Sequence, residues 1–409
     1  MSVVPIWRSF VKPATVVAAL IVLCSTAGCL ALEKSQPDYS VYHNLSAVYA
    51  EIAAFAQTYP AYVQVDHRFK SHNGLSQLVV RLANFSDSSP HMGPQPRSFK
   101  VRALLSFGQR GGELVTVESA LHFLHHLFAG LAAPSHTVEG ALSRTLLSKV
   151  DLHLVVLANP DGRNYAERTG DYCFDKTGSG LNMDALFGWD LDRRQMAVEA
   201  ETQVLLNLSR AQALDAFIAF RSGIREIHLP FAGAHAGWWD HKPANLEAMM
   251  MLAKDVAWSV KPHFIYGQAR HLLPTLLNGT ALDFMAGVRK VPFSLSIGLW
   301  DGRTGSRSFD CFQQLNPDSK MLKQTLEELH PLYQALFLHL INWKEQQSRY
   351  AFSIEHDGPS LLLCALMLCL VIVVLVLFAC QRRLPDSMRF YPRRRIVSLK
   401  TLSSSLHSS

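Results

Sequence analysis

Leu152-His153-Leu154-Val155-Val156-Leu157-Ala158-Asn159-Pro160-Asp161-Gly162 is an apolar run closed by a turn, and it sets the reading of everything around it. A run this short, ended by turn-forming residues, predicts a strand in a covered sheet. Upstream, Tyr62 to Val65, Gln77 to Leu82 and Val101 to Phe107 read as further strands. Ala216 to Phe220 and Phe293 to Leu299 continue the series downstream.

Helical patterns separate these runs. Leu45, Val48, Ile52 and Phe55 recur at helical spacing after Asn44, and Leu114, Val117, Leu121, Leu124 and Phe128 form one apolar stripe. Val138 to Leu147, Val198 to Arg210, Asn245 to Val260 and Asp318 to Trp343 are further helix candidates. Alternating strands and helices predict an α/β sheet sandwiched by helices. The Ser- and Pro-rich stretch Asn84 to Ser98 reads as a loop between strands, since neither flank could fold alone.

Both ends of the chain point to a membrane. Arg8 and Lys12 precede the apolar stretch Ala14 to Leu23, and small residues follow, which is the layout of a signal peptide over residues 1–31 cleaved between Ala27 and Glu33. An uncleaved anchor, or a lipoprotein signal at Thr26 to Cys29, stands as the alternative. Pro359 to Cys380 carries no charge and is long enough to span a bilayer as a helix. The tail beyond it, residues 381–409, holds seven basic residues against Asp386, and such an excess marks a cytoplasmic flank. The expectation is a single-pass type I protein: an exoplasmic domain over 40–345, a short stalk over 346–358, a transmembrane helix over 359–380 and a basic tail.

The tail's balance of 7 − 1 = +6 equals the formal net charge of the whole chain, so the exoplasmic part is near neutral. Nucleic-acid binding is therefore not expected, and the basic segment suits anionic lipid instead. Of seven cysteines, Cys24 and Cys29 lie in the signal region and Cys364, Cys369 and Cys380 in or beside the membrane helix. Cys173 and Cys311 remain, and an oxidising compartment permits one disulfide between them. Sequons at Asn44, Asn84, Asn207 and Asn278 fit a glycoprotein if the host is eukaryotic.

Several motifs occur in the order and spacing of a known family. Asn159-Pro160-Asp161-Gly162 is followed by Gly188-Trp189-Asp190-Leu191-Asp192-Arg193, then Glu201-Thr202, then Asn278-Gly279-Thr280 to Phe284. Over about Tyr42 to Trp343 the chain resembles the zinc metallocarboxypeptidases of carboxypeptidase A/E type, closest to the regulatory carboxypeptidase N, E, M and D branch. The resemblance implies a mixed eight-stranded sheet flanked by helices. The branch's usual β-sandwich after the catalytic domain has no room here before the membrane.

The resemblance also implies a zinc site, and there the sequence departs from it. The family holds zinc with a His-x-x-Glu turn and a downstream His, leaving one position open for water. Here the turn reads Arg110-Gly111-Gly112-Glu113, and the downstream position falls on Arg221. Guanidinium groups stay protonated and offer no lone pair, so Glu113 is the one surviving ligand and no zinc is expected. The catalytic Glu matches Gly298, and loss of a positioned base forfeits about 10²- to 10⁴-fold in rate. Arg193 matches an arginine that grips the substrate's terminal carboxylate, but its Asn partner is Asp192, and the family's second arginine has no counterpart in Tyr172 to Ala185.

Two readings of this cluster stand side by side. Arg110, Glu113 and Arg221 form a structural ion cluster that keeps a former metal site closed, or, with Arg193 and Asp192, they form an anion pocket for a carboxylate. His122, His125 and His126 on one helix, and His228, His235 and His241 in a loop-rich stretch, read as ordinary surface or core residues. The chain thus reads as a catalytically inactive binding or scaffold ectodomain with no cofactor, whose partners are the membrane and peptide C-termini or another protein. An active membrane carboxypeptidase that uses zinc to remove C-terminal residues is the alternative.

Overall fold

The computed structural model describes residues 35–86, 100–188, 199–233, 242–302, 310–357 and 361–381. The first layer is laid down by α1 (Leu45–Thr58), β1 (Val63–Asp66), β2 (Val79–Leu82) and β3 (Val101–Ser106). Then come α2 (Leu114–Ala132), α3 (Val138–Lys149), β4 (Val150–Val155) and α4 (Pro160–Thr169). A 3-10 turn at Met183–Ala185 precedes α5 (Ala200–Ala211), β5 (Ala216–Arg221), β6 (Glu226–Leu229), α6 (Leu246–Trp258) and β7 (Ile265–Gln268). The chain continues through α7 (Ala269–Leu272), α8 (Ala281–Gly287), β8 (Phe293–Gly298), α9 (Cys311–Leu315), α10 (Ser319–Asp357) and α11 (Leu361–Gln381).

All eight strands share one sheet in the order β1-β2-β4-β3-β5-β8-β6-β7. The centre is parallel, with β3 beside β4 and β5, and β5 beside β8. β1 and β2 at one edge pair antiparallel, and β6 returns antiparallel onto β8. A parallel centre needs apolar side chains on both faces because helices cover both. Ala103 and Leu105 accordingly join Val117, Leu121, Leu252 and Leu336 on one side. Leu104 turns to the other, against Val204, Leu205 and Phe284.

The predicted strands appear within two residues of their observed ends, whereas β6 and β7 were not anticipated. Both are four residues long, and β7 is largely accessible, so neither displays a sustained apolar run. The predicted stalk differs as well. α10 continues as helix through Asp357, because nothing between Trp343 and Gly358 breaks it. The chain divides into two compact units at Glu345, with α11 in the second. α2 is long and apolar enough to cross a membrane, but it is a core helix, mostly buried in the first unit. The side chains of Cys364 to Cys380 on α11 are apolar and exposed.

Local caps explain where several helices begin. Asn44 accepts from the Ala47 amide at 2.8 Å, and Asn159 accepts from the Gly162 amide at 2.8 Å with Pro160 at the first helical position. Asn44, Asn207 and Asn278 are exposed and Asn84 is half-buried, while the loop that follows Ser86 lies outside the described residues.

Cys173 and Cys311 form a disulfide that closes 138 residues of chain, tying the segment before the 3-10 turn to α9. Replacing both by serine is expected to cost about 2–5 kcal/mol. The denaturation midpoint checks this, and peptide mapping without reductant should recover the two cysteines in one linked fragment.

Candidate functional site

The site is built where β3, β5 and β8 end at their carboxyl edges, the usual place for ligands in an α/β sheet. Arg110 and Glu113 sit on the short loop from β3 to α2, Arg221 is the last residue of β5, and Gly298 is the last of β8. Two glycines let this loop lie flat on its neighbours. A Cβ on Gly111 would stand 2.1 Å from the Gly162 carbonyl carbon, and one on Gly112 would stand 2.2 Å from the Tyr172 oxygen. The Asn159 to Gly162 turn is thus the floor beneath Arg110 and Glu113. It is pinned by Asp161, which accepts from the Ser71 hydroxyl at 2.7 Å and the Asn73 amide at 2.9 Å.

Asp184, on the 3-10 turn, draws the two arginines together. Its Oδ2 accepts from Arg110 Nε at 3.1 Å and Nη2 at 2.6 Å. The same carboxylate accepts from Arg221 Nη1 at 2.5 Å and Nη2 at 2.9 Å, a two-pronged pairing. Arg221 Nε reaches both oxygens of Glu113 at 3.3 Å. Two guanidinium groups therefore face two carboxyl groups.

Burial decides how these groups ionise. Burial pushes the Glu113 carboxyl up, and Arg221 and Arg110 offset only part of that. Burial would also raise Asp184, but the charges of Arg221 and then Arg110, with their hydrogen bonds, hold it well below the carboxylate range. Arg221 shows the reverse: burial disfavours its charge, yet Asp184 and Glu113 outweigh that and hold it firmly protonated. Asp184 is the anchor of the set.

A cavity of about 350 Å³ opens beside the cluster. Arg110, Asp184 and Arg221 line it together with Leu277 and an apolar group of Ala232, Leu273 and Leu282 that pack on one another. Gly298 faces Arg221 across the β5–β8 register. A Cβ there would lie 1.9 Å from the Ile224 carbonyl oxygen, so backbone occupies the room a longer side chain would need.

The zinc carboxypeptidase family profile matches residues 48–331, more than half of the chain. The chain belongs to the zinc carboxypeptidase family. Its fold agrees. Carboxypeptidase A from Helicoverpa armigera superposes with a TM-score of 0.60 at 18% identity, over 80% of this chain and 81% of that one. Thrombin activatable fibrinolysis inhibitor gives 0.59 at 15% identity, over 80% and 81%. A metallo-carboxypeptidase from Burkholderia cenocepacia gives 0.52 at 12%, over 74% and 70%. A search of curated proteins finds no match.

The residues at these positions do not fit the family's metal. Zinc needs lone pairs from nitrogen, sulfur or carboxylate oxygen. Two of the three matching positions carry guanidinium donors whose hydrogens already point at Asp184 and Glu113. The third, Glu113, spends both oxygens on Arg221.

Of the residues singled out in the sequence, Arg110, Glu113, Arg221 and Gly298 do meet. Asp192 and Arg193, proposed for carboxylate binding, lie outside the described residues, as do His235 and His241. His228 is buried on β6 against Glu226 at 2.8 Å. Asp184 escaped the sequence reading because its segment aligns poorly. Charge accounting would have called for it, since two half-buried arginines side by side need more than Glu113 to balance them. His330 and Glu327 were missed too: they stand against His122 and His126, with Glu327 Oε2 3.8 Å from His122 Nε2 and 3.6 Å from His126 Nε2. His125 turns aside to Glu51 at 3.0 Å.

Asp184→Asn removes the carboxylate shared by a largely enclosed Arg221 and a partly exposed Arg110, and is expected to cost about 1–3 kcal/mol at neutral pH. Because the folded Asp184 carboxyl is held below its ordinary value of 3.8, its contribution is full above that value and fades as acid protonates it. Thermal melts across pH should show the gap between the two proteins widest above about pH 4 and shrinking below it.

Proposed function

We propose that this protein is a catalytically inactive zinc carboxypeptidase homologue, a membrane-held ectodomain that binds a peptide or protein partner rather than cutting it. The supporting observation is the bridge that Asp184 makes between Arg110 and Arg221, at the positions matching two metal ligands. In an active relative, the metal polarises the scissile carbonyl and a glutamate activates water. Here the matching groups are donors saturated by carboxylates, and the position matching the glutamate is Gly298, hemmed in by the Ile224 carbonyl. Neither chemistry has a group to carry it.

The neighbouring cavity remains open, with one polar and one apolar flank, the composition of a recognition pocket. Because Arg110 and Arg221 are neutralised within the chain, the apolar flank formed by Leu273, Leu277 and Leu282 carries the recognition in this reading. A free carboxylate would have to displace Asp184 from both arginines. The apolar, exposed helix α11 and the basic residues after it support a type I anchor with the ectodomain exoplasmic. The exposed Asn44, Asn207 and Asn278 leave room for glycans.

The test is release of C-terminal residues from a mixed peptide library by the purified full-length protein, with and without added zinc. No release is expected while an active carboxypeptidase works under the same conditions. Chelator-sensitive release that Arg221→Ala abolishes would overturn the reading. A second outcome follows from the crowding at β8: Gly298→Ala should lower stability by about 1–3 kcal/mol, read from denaturant midpoints.

A further inference from the structure

A second constellation lies along α2, away from the arginine cluster. His122 is nine residues beyond Glu113, roughly 13 Å along the helix axis. His122 and His126 are four apart and share one face of α2, and Glu327 and His330 are three apart and share one face of α10. The two faces meet. One ring nitrogen from each of the three histidines lies within 4.8 Å of the others. The ring centroids of His126 and His330 are 4.1 Å apart, and those of His122 and His126 are 4.4 Å apart.

We propose that His122, His126 and His330, with Glu327 as the fourth ligand, form a zinc site that staples α2 to α10.

Tetrahedral zinc at about 2.0–2.1 Å from its donors sets neighbouring ligand atoms about 3.4 Å apart. Glu327 Oε2 already stands at 3.8 Å and 3.6 Å from the two α2 histidines. The three histidine nitrogens, within 4.8 Å of one another, have at most about 1.4 Å to close to reach that spacing. The donor set, three imidazoles and one carboxylate, suits zinc among common divalent ions, and four protein ligands make a closed, structural site.

Two independent features point to a missing partner. His122 Nε2 and His330 Nδ1 are buried, and neither has a hydrogen-bond partner. Such groups are costly to leave unsatisfied, and a metal would satisfy one of them outright. The scaffold is also fixed before any ion arrives. Ser119 and Tyr333 hydroxyls bond at 2.8 Å, and the Phe123 ring stacks on Tyr333 at 4.7 Å and Phe337 at 5.6 Å between centroids. Preorganised helices of this kind hold ligands where a loop would not.

Zinc and cobalt(II) are the probes, used on full-length protein purified through a tag without histidine and stripped with a chelator. One equivalent of zinc is expected to bind and raise the melting temperature, and cobalt(II) should give the intense visible bands of a tetrahedral site. His126→Ala combined with His330→Ala should weaken zinc binding at least about 100-fold, while the metal-free melting temperature stays close to that of the stripped parent. Should that double variant misfold, Glu327→Gln alone is expected to weaken zinc binding and alter the cobalt spectrum.

Failure to bind a stoichiometric ion, or binding unaffected by these changes, overturns the staple. Zinc lost on Glu113→Gln but kept in the histidine variant would place the metal at the arginine cluster instead, which would sink both this site and the inactive reading. A protein that binds zinc through the histidines and releases no C-terminal residues satisfies both.

Discussion

The carboxylate of Asp184 holds together parts of the chain that have no other reason to converge. Arg110 leaves the end of β3 and Arg221 ends β5, and each brings a positive charge to the same carboxyl edge of the sheet. Two such charges side by side repel each other, and the strand ends need an anion between them. Asp184 accepts from both, and Glu113 takes the remaining Nε of Arg221. The 3-10 turn, the β3–α2 loop and the end of β5 are thereby locked into one geometry.

That lock stands where the family keeps an ion. A bound zinc contributes two positive charges and draws several side chains toward one point, which stabilises the surrounding loops as well as serving chemistry. Two guanidiniums provide the same charge, but through donors rather than acceptors, so the partners must change from imidazoles to carboxylates. Glu113 can serve in either arrangement, which is why it alone survives among the matching ligands. Asp184 belongs only to the second. In the proposed inactive reading, Asp184 gives a physical reason why the architecture stands without a metal at this point: paired charges hold the loops where an ion would.

The fold was legible in the sequence because its signals are long-range patterns. The runs at Leu152 to Leu157 and Ala216 to Phe220 are apolar on both sides, and the turn at Asn159 to Gly162 caps the helix it opens. β6 and β7 escaped because four residues, partly exposed, leave no periodicity to detect. At the site, Arg110, Arg221 and Gly298 were readable as departures from a motif. Asp184 was not, since its role rests on a contact 37 residues from Arg221 and 74 from Arg110 rather than on local spacing. The same limit applied to the histidines. His122 and His126 looked like surface residues until α10 brought His330 and Glu327 over them, across about two hundred residues of chain.

Both clusters touch α2: Glu113 of the first caps its start, and its middle carries His122 and His126 of the second. The helix is buried along most of its length, so its position is set by packing against the sheet and α10 rather than by solvent. A displacement of α2 would have to move Glu113 against Arg221 and slide the histidines past His330 at the same time. The arginine cluster and the histidine cluster therefore constrain one rigid element from two points roughly 13 Å apart. Such a helix resists rotation as well as translation. Arg110, which lines the cavity, stands on the loop that leads into this helix, and a wall held in place loses less entropy on meeting a partner than a loop that must first be ordered.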